Sequence, residues 1–104
     1  MKLVEIVPRD HERLFDVLVT KEAAIRKKGR GTYVRVGPKR AGSARWRHKN
    51  YKGSVHLKRN ASQVIVATVR ASTPEAERKL LSSFLGFVDR HSQYQIASIT
   101  IHYA

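Results

Sequence analysis

The chain has 104 residues, of which 41% are hydrophobic and 28% charged, and its formal net charge is +13. This length ordinarily forms one domain that buries roughly two-thirds of the surface of the unfolded chain, so residues 1–104 are predicted to be a single domain. The chain contains no cysteine, which excludes disulfides and thiolate metal sites. Because its apolar runs are also too short for a membrane helix, we expect a cytoplasmic protein without a membrane partner.

The positive charge is concentrated in one segment. Residues 21–59 hold 14 of the 21 Lys and Arg residues and a single acid, Glu22, so this segment carries the whole net charge of +13. The remaining residues are neutral overall. A neutral frame around a basic segment rich in hairpins and loops predicts a scaffold that presents a surface to a polyanion.

A strand and a helix open the chain. Residues 2–7 alternate in the manner of a strand, which is expected to end at Pro8. Asp10 is predicted to cap a following helix on which Leu14 and Leu18 share one face.

Lys21 interrupts the apolar stripe of this helix, and two interpretations are open. Either the helix breaks near Val19 and restarts with Thr20 as a new cap, or the lysine stem lies along the core while its ammonium reaches water. The helix is predicted to end at Gly29, which tolerates a left-handed conformation and follows a last turn rich in cations.

From residue 31 to residue 70 the hydrophobic period changes to two, which predicts antiparallel strands joined by short turns. The candidate strands are 32–36, 43–48, 54–58 and 63–70. Consecutive apolar residues from Val64 to Ala67 predict that the last of these is a central strand covered on both faces.

A second helix and a final strand close the chain. Thr73 and Pro74 form a helix start, and a broad apolar face predicts that this helix packs on the sheet and ends near His91. The final strand, 95–103, is expected to turn three side chains inward, namely Ile99, Ile101 and Tyr103. This order of elements predicts an α+β fold, a two-layer sandwich with a mainly antiparallel sheet and two helices packed on one face.

Alternation along the middle strands separates cations from apolar side chains. The predicted outward set is Tyr33, Arg35, Arg45, Arg47, His56 and Lys58. The predicted inward set is Val34, Val36, Trp46, Val55 and Leu57. Cations on neighbouring strands of one face repel one another, and a phosphate backbone relieves this repulsion while it releases its own counterions.

We therefore predict a nucleic-acid-binding protein that acts without catalysis, cofactor or metal. Arginine is well represented in the segment, and its planar guanidinium matches phosphate bidentately. The competing interpretation is a solvated basic surface, since helix C-termini favour cations without any ligand. The residues predicted to contact nucleic acid are Arg26, Lys27, Lys28, Arg30, Tyr33, Arg35, Lys39, Arg40, Arg45, Arg47, Lys49, Tyr51, Lys52 and Lys58.

Aromatic residues within the basic segment bear on the kind of nucleic acid. Strand alternation places Trp46 in the core, where a lone tryptophan usually lies. Tyr33 and Tyr51 are expected to face solvent and to stack on unpaired bases, which favours RNA over DNA.

The sequence supports an enzymatic function less well than nucleic-acid binding. Acids at predicted helix starts and five histidines without metal-ligand spacing argue against a metal-dependent nuclease. A metal-free ribonuclease needs only an acid, a base and cations, which His48, His56, Tyr33, Arg45 and Arg47 could supply. In size and charge the chain resembles the small ribosome-dependent toxins that cleave messenger RNA, and this resemblance implies ribonuclease activity as the alternative function.

Two further partners are compatible with the pattern. An acidic protein could meet the basic face by electrostatic complementarity. An edge strand of the predicted sheet could pair with a second copy of the chain and form a homodimer.

Overall fold

A computed structural model describes residues 1–38 and 40–103, and within them one six-stranded sheet supports two helices. The strands are β1 (Lys2–Pro8), β2 (Tyr33–Arg35), β3 (Ser43–His48), β4 (Ser54–Arg59), β5 (Ile65–Arg70) and β6 (Ile96–Tyr103). Their order across the sheet is β2-β3-β4-β5-β1-β6, and all neighbours are antiparallel. The helices are α1 (Leu14–Lys27) and α2 (Pro74–Ser92). The predicted α+β fold, with both helices on one face of the sheet, is confirmed.

Helix α1 begins later than predicted and is continuous. A short 3-10 turn, Arg9–His11, precedes it, and Asp10 adopts a positive φ of 50° inside that turn. The predicted cap at Asp10 is therefore wrong, because Arg13 is the residue that precedes the first helical turn. Neither interpretation of Lys21 holds either. The helix does not break, Lys21 is exposed, and Glu22 occupies the buried position one turn after Leu18.

The end of α1 agrees with the sequence. The amide of Lys28 donates to the carbonyls of Ala24 and Ile25, and Gly29 follows with a φ of 72°. A left-handed residue at this position lets the chain leave the helix while the last carbonyls keep their donors.

Strands β3 and β4 follow the predicted alternation closely. Strand β3 spans the predicted residues, and β4 extends the prediction by one residue. Strand β5 is central in the sheet order, as expected, yet it is covered on one face only. Ile65, Ala67 and Val69 are buried, whereas Val66 on the opposite face is 39% exposed. The prediction of coverage on both faces is wrong because both helices pack on the same side.

Helix α2 is capped and packed as predicted. The Thr73 hydroxyl accepts a hydrogen bond of 3.1 Å from the Ala76 amide, and Pro74 is the first helical residue. Its buried apolar side chains are Leu80, Leu81, Phe84, Phe87 and Val88. They meet Trp46, Val55 and Leu57 from the sheet in one core.

Strand β6 lies at one edge of the sheet. Its register with β1 pairs Ile101 with Val4 and Tyr103 with Lys2, which places the predicted inward set on the helix side. Ile101 packs against the core, but Ile99 is 37% exposed and Tyr103 is 75% exposed. The expectation that these two side chains are buried is wrong, because the helices do not extend over this edge.

Neither helix has the length and hydropathy needed to cross a bilayer, for the part of the chain that the structure describes.

Candidate nucleic-acid interface

The face of the sheet opposite the helices carries a group of cations. Strand register sets Arg45 opposite His56, and Arg47 opposite Ser54, which in turn faces Arg70. Lys58 lies on the same face, two residues beyond His56. We call Arg45, Arg47, His56, Lys58 and Arg70 the cationic face. Its four Arg and Lys side chains are exposed, and His56 is partly buried among them.

The charges of this face converge on His56. Burial lowers the pKa of His56, and the positive charges of Arg45, Lys58 and Arg70 lower it further. The His56 Nε2 atom shares a hydrogen bond of 3.1 Å with the Ser43 hydroxyl. Three cations from three neighbouring strands therefore lie around one imidazole and line one depression with it, so we describe them as one electrostatic unit.

No carboxylate of the described residues forms an ion pair with this unit. Across residues 1–38 and 40–103, the ion pairs of the structure involve other cations: the amino terminus, Lys2, Arg13, Arg26 and Lys79. Glu5 is the acid that shares this side of the sheet, and it lies on β1, opposite Val66 and Thr100. The cationic face thus carries an excess of positive charge that is not balanced within the described chain.

Sequence reasoning overlooked Arg70. It is the last residue of β5 and lies on the open face together with Val66 and Thr68. The signal was present in this alternation, but the interpretation of β5 as a strand covered on both faces concealed it. Register places Arg70 opposite Ser54, and Arg70 lines one depression with Arg45, His56 and Lys58.

Strand β2 faces the opposite way from the prediction. Tyr33 pairs with His48 and Arg35 pairs with Trp46, so both lie on the helix side, while Val34 lies beside Arg47 on the cationic face. The predicted outward positions of Tyr33 and Arg35, and the predicted inward positions of Val34 and Val36, are therefore wrong. Both faces of this short edge strand offer apolar surface, and burying a tyrosine ring removes more of it from water than burying a valine.

Tyr33 is a core residue. It is 3% exposed, its hydroxyl shares a hydrogen bond of 3.0 Å with the Ser83 hydroxyl, and burial raises its pKa to about 12. Its ring contacts Trp46, His48 and Phe87 at centroid distances of 5.2–5.6 Å. Tyr33 is therefore unavailable for stacking on a base.

The single acid of the basic segment is buried beside two of the predicted binding residues. The Glu22 carboxylate lies 3.1 Å from the Arg26 Nε atom. Burial raises the pKa of Glu22, and the charges of Arg26 and Arg35 oppose that rise. The positive charges of Arg26 and Arg35 therefore offset the charge of the buried Glu22 carboxylate, in addition to any contact that they make with nucleic acid.

Cations continue around the β2 edge of the sheet. Arg40 lines a depression on the open face together with Ser43, Arg45 and Lys58. Arg40 also lines a groove of about 770 Å³ between α1 and the loop after β2, where Lys27 and Arg35 reach it. One residue thus links the cationic face to the groove beside α1. Lys39, the neighbouring predicted contact, lies outside the described residues.

The turn between β3 and β4 carries further exposed cations, Lys49 and Lys52. Between them, Tyr51 is partly buried and stacks on His48, with ring centroids 4.4 Å apart and an interplanar angle of 23°. The His48 Nδ1 atom accepts the amides of Asn50 and Tyr51 at 3.0 and 3.3 Å. The prediction that Tyr51 is solvent-facing holds only in part, because one face of its ring is already occupied.

The groups proposed for a ribonuclease do not share one surface. His48 and Tyr33 are buried on the helix side, whereas His56, Arg45 and Arg47 lie on the open face. Among residues 1–38 and 40–103, no group of three or more potential metal-ligating side chains is found.

Lys28 and Arg30, two further predicted contacts with nucleic acid, follow α1 and are exposed.

Comparison of the chain with protein families, with curated proteins and with solved structures finds no match.

Proposed function

We propose that this protein binds nucleic acid through the phosphate backbone, with the cationic face as the centre of the contact. The observation that supports this proposal is the grouping of Arg45, Lys58 and Arg70 around His56, with no ion pair between these cations and a carboxylate of residues 1–38 and 40–103. Like charges on neighbouring strands destabilise a free protein, and a polyanion is the partner that removes this cost.

The surrounding cations extend the proposed contact on two sides. Arg40 leads from the cationic face toward the groove beside α1, where Lys27 lies. Lys49 and Lys52 project from the turn after β3, next to Arg47. A flexible phosphate chain or a duplex groove edge can engage such a set without any base being read. Lys39 stays a prediction.

The side chains of the cationic face bear on the kind of nucleic acid that we expect it to bind. Trp46 and Tyr33 are in the core and Tyr51 stacks on His48, so none of these three rings belongs to the cationic face, which offers Arg, Lys and His groups. Stacking was the reason to favour unpaired RNA, and that preference for RNA stays a prediction. Charge density is the remaining discriminator, and we therefore expect duplexes to bind at least as tightly as single strands.

The test removes two converging charges and measures the salt dependence of binding. In the double variant Arg45→Gln and Arg70→Gln, the slope of log affinity against log salt for a 20-base-pair duplex should shrink by up to ~2 units, because each lost phosphate contact removes about 0.9. Fluorescence anisotropy over a salt series with DNA duplex, RNA duplex and single-stranded RNA provides the measurement.

A matched control removes the same charge elsewhere. Lys21→Gln with Arg78→Gln changes two exposed cations on the helices and should leave the slope nearly unchanged. Equal loss in both double variants would show that net charge alone drives binding and would reject the cationic face as the site. Absence of binding to all three nucleic acids at low salt would reject the proposed function itself.

A further inference from the structure

The two edges of the sheet differ in how they are protected. Strand β2 has three residues, contains Arg35, and is followed by Gly37 and Pro38, which are features that prevent further strand pairing. Strand β6 has eight residues and contains no Lys, Arg, Asp, Glu or proline. A long uncharged edge strand presents a row of backbone donors and acceptors on which another strand can pair.

Exposed apolar side chains lie on β6 and just before it. Ile99 is 37% exposed and Tyr103 is 75% exposed on the helix side of β6, and Tyr94 is exposed just before the strand begins. The Arg9 Nε atom donates a hydrogen bond of 2.9 Å to the Ile96 carbonyl at the start of β6. Among the strands of residues 1–38 and 40–103, β6 pairs with β1 alone, so its other edge from Ala97 to Tyr103 is open to a further strand.

The distribution of charge over the molecule indicates where a second copy of the chain can approach. The net charge of +13 arises from residues 21–59, which form the end of α1, β2, β3 and β4. These elements lie toward the opposite edge of the sheet from β6. Two copies of so cationic a protein repel each other over most of their surfaces, and the edge at β6 is where they can approach with least repulsion.

We propose that two copies of this chain form a homodimer by antiparallel pairing of β6 with β6. Antiparallel pairing of identical strands is compatible with a two-fold axis, so each copy supplies the same donors and acceptors to the other. The two sheets become one continuous sheet, and Ile99 and Tyr103 of each copy gain apolar neighbours across the new contact. This proposal does not depend on nucleic-acid binding.

The mass of the nucleic-acid-free protein tests the proposal. Sedimentation equilibrium or light scattering at 500 mM NaCl should give twice the chain mass of 11.9 kDa. Higher salt should strengthen the dimer because it screens repulsion between copies, whereas it should weaken nucleic-acid binding. The two salt dependences have opposite signs, so a failure of one proposal is distinguishable from a failure of the other.

Single substitutions locate the interface. Ile99→Lys should give the mass of a monomer with unchanged circular dichroism, because it places like charges at the partly exposed edge of both copies. Val36→Lys, at an exposed apolar residue near the β2 edge, is the control and should leave a dimer.

Three outcomes would overturn the proposal. The wild-type protein could remain a monomer at several hundred micromolar, which would also be the result if β6 pairs with a strand of another protein. Ile99→Lys could remain a dimer while folded. Val36→Lys could become the monomer, which would assign the interface to the other edge. If Ile99→Lys does not fold, Thr100→Lys on the opposite face of β6 provides the second test of the same edge.

Discussion

Glu22 changes the number of cations that can act on a partner. Fourteen cations share a segment with this one acid, and the structure buries the acid beside Arg26 and Arg35. A buried carboxylate without compensating charge would be costly, so these two arginines stabilise the folded chain. Within residues 1–38 and 40–103 the cations of the open face form no ion pair, and the function we propose therefore rests on Arg45, Lys58 and Arg70.

His56 gives the proposed interface a pH dependence. Burial, then Arg45, Lys58 and Arg70, hold the pKa of His56 in the free protein below its ordinary value of 6.5. Phosphates that neutralise the three cations should raise this pKa, so binding should take up a proton and strengthen severalfold as the pH falls from 7.5 to 5.5. Anisotropy titrations at constant ionic strength measure this change.

The matched variant is His56→Gln, which keeps a polar group near the Ser43 hydroxyl but does not titrate. We expect its affinity to vary less with pH over the same range. A pH dependence identical to that of the wild-type protein would assign the proton uptake to another group and would contradict the role given to His56.

At the scale of the elements, period and turn chemistry predicted the strands and helices well. Alternation in β3 and β4 separated Arg45 and Arg47 from Trp46 correctly, because one face of each strand is apolar and the other is charged. The same reasoning failed for β2, where valine alternates with tyrosine and arginine and either face could be buried. Its direction agrees with burial of the Tyr33 ring in the core, where the Tyr33 hydroxyl also meets Ser83 on α2. A contact between residues 50 positions apart is not visible in local alternation.

Buried side chains on helices were predicted less well than strand faces. The stripe through Leu14 and Leu18 continues to Glu22, an acid, so an apolar pattern could not reveal it. Its counterions come from the next turn of α1 and from β2, and the second of these depends on tertiary packing. Arg70 was missed for the related reason that coverage of β5 depends on where the helices pack.

The turn that starts β4 has a strict requirement for glycine. Gly53 has a φ of 141°, and a Cβ atom there would collide with the Arg70 carbonyl oxygen and lie 2.9 Å from Leu80 Cδ2. Gly53→Ala should therefore lower the free energy of unfolding by at least ~2 kcal/mol, since both the backbone conformation and the space are unfavourable. Urea denaturation followed by circular dichroism measures the loss.

Gly37→Ala is the control for this prediction. Gly37 also has a positive φ, of 82°, but a Cβ atom would meet nothing within 4 Å. Its substitution should cost only the conformational term of ~1–2 kcal/mol. Equal losses in the two variants would show that the close approach to β5 and α2 has no energetic consequence.

At the scale of the whole molecule, the arrangement that favours binding should reduce the stability of the free protein. The cationic face gathers charges from three neighbouring strands, and Arg45 and Lys58 are diagonal neighbours across β3 and β4, close enough for their like charges to repel. We expect the thermal midpoint of the nucleic-acid-free protein to rise by a few degrees between 20 and 300 mM NaCl, as salt screens this repulsion.

The variant Arg45→Gln with Arg70→Gln should have a higher thermal midpoint than the wild-type protein at low salt, and the difference should shrink at high salt. Calorimetry or thermal circular dichroism compares the two proteins. A lower midpoint at both salt concentrations would mean that these arginines stabilise the fold, and any loss of nucleic-acid binding in that variant would then need a different explanation.

The unequal distribution of charge along the sheet gives the molecule a large electric dipole. A polyanion exerts a torque on such a dipole, so the β2 side should turn toward it before the surfaces meet, and association should be fast at low ionic strength. Once docked, the molecule would hold β6 away from the phosphates and toward solvent. A second copy docked on another nucleic-acid segment could then pair through that strand, which would tether the two segments to each other.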